Sequence, residues 1–305
     1  MPTILPRHWL MLGFLGVIWG ASFMFISLAL RGVGPLVLAA SRLALGAVLL
    51  LVILYLLGKR LPDWRGDNGK RIWGFALALA LLSNAVPFFL LSWAQQVVAS
   101  GFAGVCMAAV PLLILPLAHF LVPGERMSLR RLAGFMTGTV GVVILIGPAA
   151  FATTGKDLEL LAKLACVAAA GCYAVGSICT RLCPAVDKLA LSAAVLLLAS
   201  VILVPLALWR EGWPASVDGM TLWALLYLGI LPTGLAQLVL VTLNREAGPV
   251  FFSLVNYQVP IWSVIFGAVI LSEALPPSLV LGMGMILGGV ALSQLGRLKR
   301  LLLGL

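Results

Sequence analysis

The chain has 305 residues, of which 62% are hydrophobic and only 10% are charged, and its mean hydropathy is +1.14. A soluble domain carries about 25% charged residues, so this composition excludes a soluble globular enzyme and places the chain in a lipid bilayer. The net charge is +10. Basic residues at the ends of membrane helices account for that charge, so the sequence does not predict nucleic-acid binding.

Ten apolar segments are long enough to cross a bilayer as helices, which takes roughly 17–25 residues each. In chain order these segments are 9–30, 35–57, 72–95, 99–121, 131–148, 158–181, 188–209, 219–243, 249–271 and 277–296. None of them alternates in the manner of a membrane β-strand. The sequence therefore predicts an all-α membrane protein of ten transmembrane helices, whose first span is retained and not cleaved as a signal peptide.

The basic residues predict the direction of the spans. Fifteen of the 20 Lys and Arg residues fall on the side of the N-terminus, four fall on the other side, and Arg42 lies within a span. Because cytoplasmic loops are enriched in Lys and Arg, both termini are expected in the cytoplasm. We expect a multi-pass protein of the inner or plasma membrane, a monomer or weak oligomer, with the lipid bilayer and a small-molecule substrate as its partners.

The two halves of the chain resemble each other when one is shifted by 148 residues. The coinciding pairs are Ala99 with Ala247, Glu125 with Glu273, Gly134 with Gly282, Gly141 with Gly289, and Val142 with Val290. Five spans per half is an odd number, so the second half must enter the membrane in the opposite direction. We therefore expect 1–150 and 151–305 to form two inverted five-helix repeats, an arrangement typical of transporters.

Short motifs recur at corresponding places in the two halves. The first half carries Trp19-Gly20-Ala21-Ser22-Phe23, Pro35 with Arg42, Pro111, Gly124-Glu125, and Gly134 with Gly141. The second half carries Cys172-Tyr173-Ala174, Pro260, Ser272-Glu273, and Gly282 with Gly289. Together these motifs resemble the EamA family of the drug/metabolite transporter superfamily, and within it the YddG-type amino-acid exporters.

This resemblance implies an architecture as well as an activity. It implies ten helices in a five-plus-five inverted repeat, with a central cavity between the first four helices of each half. Spans 5 and 10 would then lie at the periphery. Transport would proceed by alternating access, in which the cavity opens to one side of the membrane at a time.

Arg42 is a charged residue within a predicted span. It follows Pro35 by seven residues, so it lies about 10 Å below the outer surface at 1.5 Å per residue. A cation at the centre of a membrane helix costs roughly 2.5–3.5 kcal/mol and needs a partner. That partner is either the carboxylate of a substrate or a set of backbone carbonyls that Arg42 braces.

Amides paired with prolines mark three other spans. Span 9 contains Asn256, Tyr257 and Pro260, and the proline frees the carbonyl of residue 256, so a broken helix is expected there. Asn84 with Pro87 in span 3 and Gln237 with Pro232 in span 8 repeat the pairing. These groups either line a cavity or hydrogen-bond between helices around ordinary kinks. The predicted hinge prolines are Pro87, Pro111, Pro232 and Pro260.

Aromatic residues deep in spans complete the candidate site, because they can stack on a flat or apolar substrate. The candidate substrate-binding residues are Trp19, Arg42, Asn84, Tyr173, Gln237, Asn256, Tyr257 and Trp262. Tryptophans near span ends, such as Trp64, Trp209, Trp213 and Trp223, are interpreted as interface anchors.

The sequence lacks several motifs and residue types that particular classes of membrane protein require. No carboxylate lies in mid-span, the chain has two histidines, its five cysteines form no CxxC, and no GxxxxGK[ST] motif is present. A membrane-embedded enzyme needs a catalytic cluster or a metal, so neither catalysis nor a cofactor or metal is predicted. The sequence favours a facilitated exporter of small metabolites, foremost aromatic or other apolar amino acids. Drugs, nucleotide precursors and lipid-linked sugars are the alternative substrates.

Overall fold

The computed structural model describes residues 5–122, 127–146, 157–212, 214, 216–247, 251–252 and 254–303. Within these ranges the regular structure is helical, and nine helices are long and apolar enough to cross a membrane. A further apolar helix, Val255–Ile270, has 16 residues. Gly124, Glu125 and Trp213, which the sequence analysis singled out, lie outside the described residues.

We number the helices α1 to α10 in chain order. Their bounds are Pro6–Ala29 (α1), Pro35–Leu56 (α2), Gly69–Ala94 (α3), Ser100–Leu121 (α4), Leu129–Ile146 (α5), Asp157–Leu182 (α6), Lys188–Arg210 (α7), Gly219–Leu228 continuing through Gly229–Leu235 and Ala236–Glu246 (α8), Val255–Ile270 (α9) and Pro277–Leu303 (α10). Each helix overlies one of the predicted apolar segments. The length of the apolar segments therefore predicted the positions of these helices, because a helix must be long enough to cross the bilayer.

Three helices change their winding near a proline. In α3 the stretch Leu81–Ala85 is π-helical, just before Pro87, and in α8 the π-helical stretch Gly229–Leu235 contains Pro232. In α4 the helix is interrupted at 108–109, just before Pro111. Proline lacks an N–H and clashes with the carbonyl four residues earlier, so a wider turn relieves both problems. The two π-helical stretches begin 148 residues apart, the shift that relates the two halves of the sequence.

The break that was expected at Pro260 does not occur. α9 runs continuously from Val255 to Ile270 with Pro260 inside it. The residue four positions earlier, Asn256, is the second residue of the helix, so the missing donor removes one hydrogen bond, in the first turn of the helix. The prediction of a break at Pro260 itself was wrong: span 9 is interrupted earlier, with residues 251–252 helical, Leu254 in a turn and α9 beginning at Val255.

Side-chain contacts distinguish the two ends of the helical bundle. We call one end the basic end; it includes the start of α1 and the connections 57–68 and 183–187. There Lys59 Nζ lies 2.6 Å from Asp187 Oδ2. At the opposite end, Glu211 accepts hydrogen bonds from the backbone N–H groups of Leu36 and Val37 at 3.0 and 2.9 Å. Helices that are distant in sequence are thus joined at both ends.

α5 and α10 pack mainly against each other, in antiparallel directions. The backbones meet at Gly134 and Gly289, where a Cβ added to either residue would lie 2.5 Å from the carbonyl oxygen of the other. Small residues permit this close approach in a membrane, where apolar burial does not drive helix association. Large apolar side chains such as Met136 and Leu281 are exposed on the outer surfaces of the pair, so α5 and α10 lie at the periphery.

Two large apolar clusters surround the centre of the molecule. One joins α1, α2, α3, α7 and α8, and the other joins α3, α4, α6, α9 and α10. Their inner borders, which include Ile26 and Phe88 on one side and Leu91 and Met107 on the other, face a common cavity. The clusters thereby hold the helices that carry polar side chains around that space.

Candidate functional site: a central cavity with a buried arginine

A cavity of about 380 Å³ lies at the centre of the bundle. Side chains from α1, α2, α3, α4, α6, α8 and α9 line it. Its polar and aromatic lining residues are Trp19, Ser22, Phe23, Arg42, Ser83, Asn84, Phe88, Tyr173, Thr233, Gln237 and Asn256. The volume is within the range of about 300–1,000 Å³ of small-molecule sites, and a mostly apolar wall with few polar groups is typical of them.

The structure brings six of the eight candidate binding residues to this cavity. They are Trp19, Arg42, Asn84, Tyr173, Gln237 and Asn256. Tyr257 and Trp262 are not among its described lining residues. On α9 the face formed by Asn256, Val259 and Pro260 meets the cavity, and the helical period of 3.6 residues turns Tyr257 and Trp262 away from it.

Both excluded aromatics have other neighbours. Tyr257 packs against the apolar cluster that joins α3, α4, α6, α9 and α10. Trp262 stacks on Phe266 with their ring centroids 5.6 Å apart, and its Cβ lies against Gly20 of α1. Both residues therefore contribute to helix packing in this conformation.

The four predicted hinge prolines have different positions. Pro232 and Pro260 line the central cavity. Pro111 lines a second cavity that shares Val110 and Asn256 with the central one. Pro87 is buried in α3 and is absent from the described lining of these cavities. Among the described lining residues, proline therefore borders the central cavity on α8 and on α9.

Arg42 is the charged residue among the described side chains that line the central cavity. It is 7% exposed, its Nε donates a hydrogen bond to Thr233 Oγ1 at 2.7 Å, and its guanidinium carbon lies 3.9 Å from the centre of the Phe88 ring. Within the described residues no carboxylate forms an ion pair with it. A guanidinium has five N–H donors, so four remain on the terminal nitrogens of Arg42. The cavity therefore presents a fixed cation to whatever enters it.

Thr233 connects Arg42 to the π-helical stretch of α8. Its hydroxyl donates a hydrogen bond to the carbonyl of Leu228 at 2.8 Å and accepts the one from Arg42. Leu228 lies four residues before Pro232, whose missing N–H deprives that carbonyl of its α-helical donor. The Thr233 hydroxyl therefore donates to the carbonyl beside the proline and positions a cation at the same time.

Asn84 occupies a similar place in the π-helical stretch of α3. Its Nδ2 donates a hydrogen bond to the carbonyl of Leu79 at 3.1 Å, and the residue is 9% exposed. A carbonyl accepts only from a donor, so the amide nitrogen must face Leu79 and Oδ1 is left as an acceptor for the cavity. Asn84 precedes Phe88 by one helical turn, which places this acceptor next to the ring that contacts Arg42.

The remaining polar contacts join α1 to α8 beside the cavity. Trp19 Nε1 donates a hydrogen bond to the carbonyl of Pro232 at 3.1 Å, and the Tyr227 hydroxyl donates to the carbonyl of Ile18 at 3.1 Å. Trp19 thus lines the cavity while its N–H is occupied. A change in the winding of α8 would be transmitted to α1 through these two bonds.

The central cavity continues toward the basic end. A cavity of about 760 Å³, which reaches the 183–188 connection, shares Ser83, Asn84, Gln237 and Leu240 with it. The second cavity, which Pro111 lines, has a volume of about 320 Å³ and is also lined by His119, Arg131 and Arg181. The two cavities that adjoin the central one therefore carry cationic side chains, among them Arg131, Arg181 and Lys188.

Hydrogen bonds join separate segments at the opposite end of the bundle. Ser27 Oγ donates a hydrogen bond to Gln95 Oε1 at 3.2 Å, which joins α1 to the end of α3. Glu273 accepts hydrogen bonds from the N–H groups of Ser100 and Gly101, which joins the connection after α9 to the start of α4. With the Glu211 contacts already described, these bonds join three pairs of segments at that end: α1 with the end of α3, α4 with the connection after α9, and α2 with the connection after α7.

Sequence reasoning missed Thr233 and Phe88. Each directly follows a proline, Pro232 or Pro87, that the analysis singled out. A polar or aromatic residue beside an intramembrane proline was therefore the available signal. The described residues hold no group of three or more His, Cys, Asp or Glu side chains that could bind a metal ion.

Comparison with known proteins identifies the family of this chain. The model of the EamA-like transporter family matches residues 7–147 and again 160–295. The chain is 24% identical to the uncharacterized transporter YoaV of Bacillus subtilis, over 92% of this chain and 94% of that protein. It is 26% identical to the uncharacterized inner membrane transporter YedA of Escherichia coli K12, over 92% and 88% of the two chains.

Two further matches extend this comparison. The uncharacterized protein PA1977 of Pseudomonas aeruginosa is 30% identical over 86% of this chain and 84% of its own length. A solved crystal structure shares the fold with a TM-score of 0.67, at 22% identity, and the match covers 93% of this chain and 96% of that one. The printed names of these relatives specify no substrate, so the YddG-type assignment stays a prediction. The chain belongs to the EamA-like transporter family and is a multi-pass inner membrane transporter.

Proposed function

We propose that this transporter exports small amphipathic carboxylates, foremost amino acids with aromatic or apolar side chains, by alternating access across the inner membrane. The observation that carries the proposal is Arg42, a buried cation that lines the cavity and has no carboxylate partner among the described residues. Guanidinium groups bind carboxylates through two parallel hydrogen bonds. A substrate carboxylate would supply the counter-ion that the protein itself does not.

The other walls of the cavity fit the rest of such a substrate. Trp19, Phe88 and Tyr173 provide aromatic surface, and Leu91, Met107 and Val259 provide apolar surface. The Asn84 Oδ1 acceptor can receive a hydrogen bond from an α-ammonium group near the carboxylate site. No described lining residue carries a negative charge, so a solute with a net positive charge lacks a partner there.

Several observations support a five-plus-five inverted repeat. The family model matches the chain twice, once in each half, and the two π-helical stretches are related by the same shift as the sequence motifs. Under the positive-inside rule the basic end is cytoplasmic and both termini lie there. The cavity then opens to the cytoplasm, the side from which an exporter loads its substrate.

The sequence and the lining of the central cavity also indicate the energy source for transport. The sequence has no P-loop motif for ATP, and no described lining residue of the central cavity is a carboxylate or histidine. A proton-driven pump ordinarily carries such a relay within its spans. We therefore propose facilitated transport down the gradient of the substrate.

Counterflow tests this proposal directly. Proteoliposomes loaded with unlabelled L-phenylalanine are diluted into labelled L-phenylalanine, and uptake is compared between the wild type, Arg42→Gln and Arg42→Lys. We expect saturable uptake by the wild type, at least tenfold less with Arg42→Gln, and an intermediate rate with Arg42→Lys, which keeps the charge but not the two-pronged geometry. Ser200→Ala, a buried change in α7 outside the cavity lining, is the matched control.

The outcome separates two roles of Arg42. If Arg42→Gln folds and transports L-phenylalanine as the wild type does, Arg42 is a structural brace and the proposal is wrong. The thermal unfolding temperature of each variant, measured with and without ligand, completes the test, because a ligand that prefers the folded form raises it. Stabilisation by nucleotides, drugs or lipid-linked sugars with none by amino acids would favour the alternative substrates.

A further inference from the structure

We infer that Thr233 is a positioning residue for substrate recognition: its hydroxyl fixes the guanidinium of Arg42 so that the edge bearing both terminal nitrogens faces the cavity. The inference rests on the proposed function, because it assigns a role to Arg42 in binding the carboxylate. Thr233 acts through Arg42, and its own hydroxyl hydrogen is already donated to Leu228.

The geometry around Arg42 leaves one direction open. Thr233 occupies the Nε–H at 2.7 Å, and the Phe88 ring covers one face of the guanidinium at 3.9 Å from its centre. The planar group is thereby fixed along one edge and on one face. Its remaining edge carries the two terminal nitrogens, which match the two oxygens of a carboxylate.

The approach of two helices makes this contact possible. Gly46 lies one turn after Arg42 on α2, and a Cβ placed there would come 2.7 Å from Thr233 Cγ2. The absence of a side chain at Gly46 therefore allows the π-helical stretch of α8 to lie close to α2. Thr233 is 3% exposed in this contact, so most of its side chain is covered by protein.

The π-helical stretch gives Thr233 its orientation. The carbonyl of Leu228 has no α-helical partner because Pro232 lacks the N–H that would reach it. The Thr233 hydroxyl donates to this carbonyl at 2.8 Å, which leaves its lone pairs directed toward an incoming donor. Pro232 and Thr233 therefore act together: the proline removes the α-helical donor of the Leu228 carbonyl, and that carbonyl orients the hydroxyl that holds Arg42.

Two substitutions separate the hydroxyl from the shape of the side chain. Thr233→Val keeps the volume and removes the hydroxyl, whereas Thr233→Ser keeps the hydroxyl. Thr242→Val is the matched control on α8, since Thr242 Oγ1 also donates to a carbonyl, that of Leu238 at 2.9 Å, but does not line the cavity. Binding of L-phenylalanine and of L-phenylalaninamide, which lacks the carboxylate, is measured for each purified variant.

We expect Thr233→Val to weaken L-phenylalanine binding about tenfold, the effect of losing one hydrogen bond to a charged group. Binding of L-phenylalaninamide should change less than twofold, so that discrimination between the two ligands falls. Thr233→Ser should restore discrimination, and Thr242→Val should leave it unchanged. In the Arg42→Lys background, Thr233→Val should have no further effect on discrimination, because residues that act as one unit are not additive.

The controls distinguish failure of this inference from failure of the proposed function. If Arg42→Gln abolishes L-phenylalanine binding but Thr233→Val leaves it unchanged, the role of Thr233 is wrong and the proposed function stands. Equal losses for both ligands with Thr233→Val would also overturn the inference, since they indicate a purely structural residue. If the wild type shows no saturable binding of L-phenylalanine while remaining folded, the proposed function itself fails.

Discussion

Glu273 and Ser100 meet at the opposite end of the bundle, where Glu273 Oε1 accepts a hydrogen bond from the Ser100 backbone N–H at 2.7 Å. Its second oxygen accepts from Gly101 at 3.0 Å. The first N–H groups of a helix have no partner within it, and the partial positive charge there favours an anion. A residue from the connection before α10 therefore caps the start of α4, 173 positions earlier in the chain.

Glu273→Gln should weaken this cap. The amide offers one acceptor oxygen in place of two and carries no charge, so we expect a loss of about 1 kcal/mol in the free energy of unfolding. Thermal unfolding of the purified protein measures it. Asp67→Asn, a change of the same type in an exposed connection, is the control and should have no effect; equal losses in the two variants would contradict the capping role.

Glu211→Gln should give a second, independent loss of similar size. Glu211 caps the start of α2 at Leu36 and Val37, and it belongs to the connection after α7. Because the two caps share no residue, their effects on the unfolding free energy should add to within about 0.5 kcal/mol. A strongly non-additive double variant in the same melts would show that the two caps belong to one coupled network.

Pro111→Ala and Pro260→Ala should slow transport more than they lower expression. Restoring an N–H at either position lets the helix adopt ordinary α-helical bonding, which removes the flexibility that alternating access uses. The initial counterflow rate per folded molecule, compared with the yield of folded protein, tests this. Losses of rate and yield in equal proportion would reduce these prolines to a role in folding.

The Lys59–Asp187 pair should make stability at the basic end depend on pH. The ammonium of Lys59, followed by the N–H groups of Ala190 and Leu189, holds the pKa of the Asp187 carboxyl below its ordinary value. A group whose folded pKa is depressed stabilises the fold above its unfolded pKa and loses that contribution as pH falls through the folded pKa. The stabilisation should thus be complete above about pH 5 and decline below about pH 4.

Asp187→Asn should therefore lower the unfolding temperature at pH 7 and change it less at pH 3.5. The loss at pH 7 should be about 0.5 kcal/mol, because Asn still caps the start of α7 and the variant removes only the charge, which favours the helix N-terminus and pairs with the exposed Lys59. Melts of both proteins from pH 3.5 to pH 7 provide the measurement. A constant difference across that range would exclude titration of Asp187 as the cause.

Collapse of a pH gradient should leave counterflow unchanged. The described residues that line the central cavity include no carboxylate and no histidine, so they offer no group that binds and releases a proton near neutral pH. Adding a protonophore to proteoliposomes with an imposed gradient is the measurement. Strict dependence of uptake on that gradient would rule out the facilitated mechanism.

Patterns along the chain predicted the helices and much of the cavity lining. Helix positions follow from the run of apolar residues that a bilayer requires. Arg42, Asn84, Gln237 and Asn256 were identified because a polar residue in a span must face a cavity or another helix. The prolines marked where α3, α4 and α8 change their winding, since the loss of an N–H is a local effect.

Contacts between distant segments escaped such reasoning. Tyr257 and Trp262 have the chemistry of binding residues, but the rotation of α9 turns them toward its neighbours. That rotation depends on packing against α1 and α4, among them the contact of Trp262 with Gly20. The sequence pattern does not predict the rotation of α9, because both faces of a buried membrane helix are apolar.

The sequence by itself determined that this protein is a helical membrane transporter, since hydropathy, charge distribution and family motifs are properties of local stretches of chain. Only the tertiary structure decided what Arg42 contacts. Its hydrogen-bond partner, Thr233, lies 191 residues away, and the two meet because a proline rewinds α8 and a glycine lets α2 approach it. The direction in which a buried cation points is set by neighbours that the order of residues does not reveal.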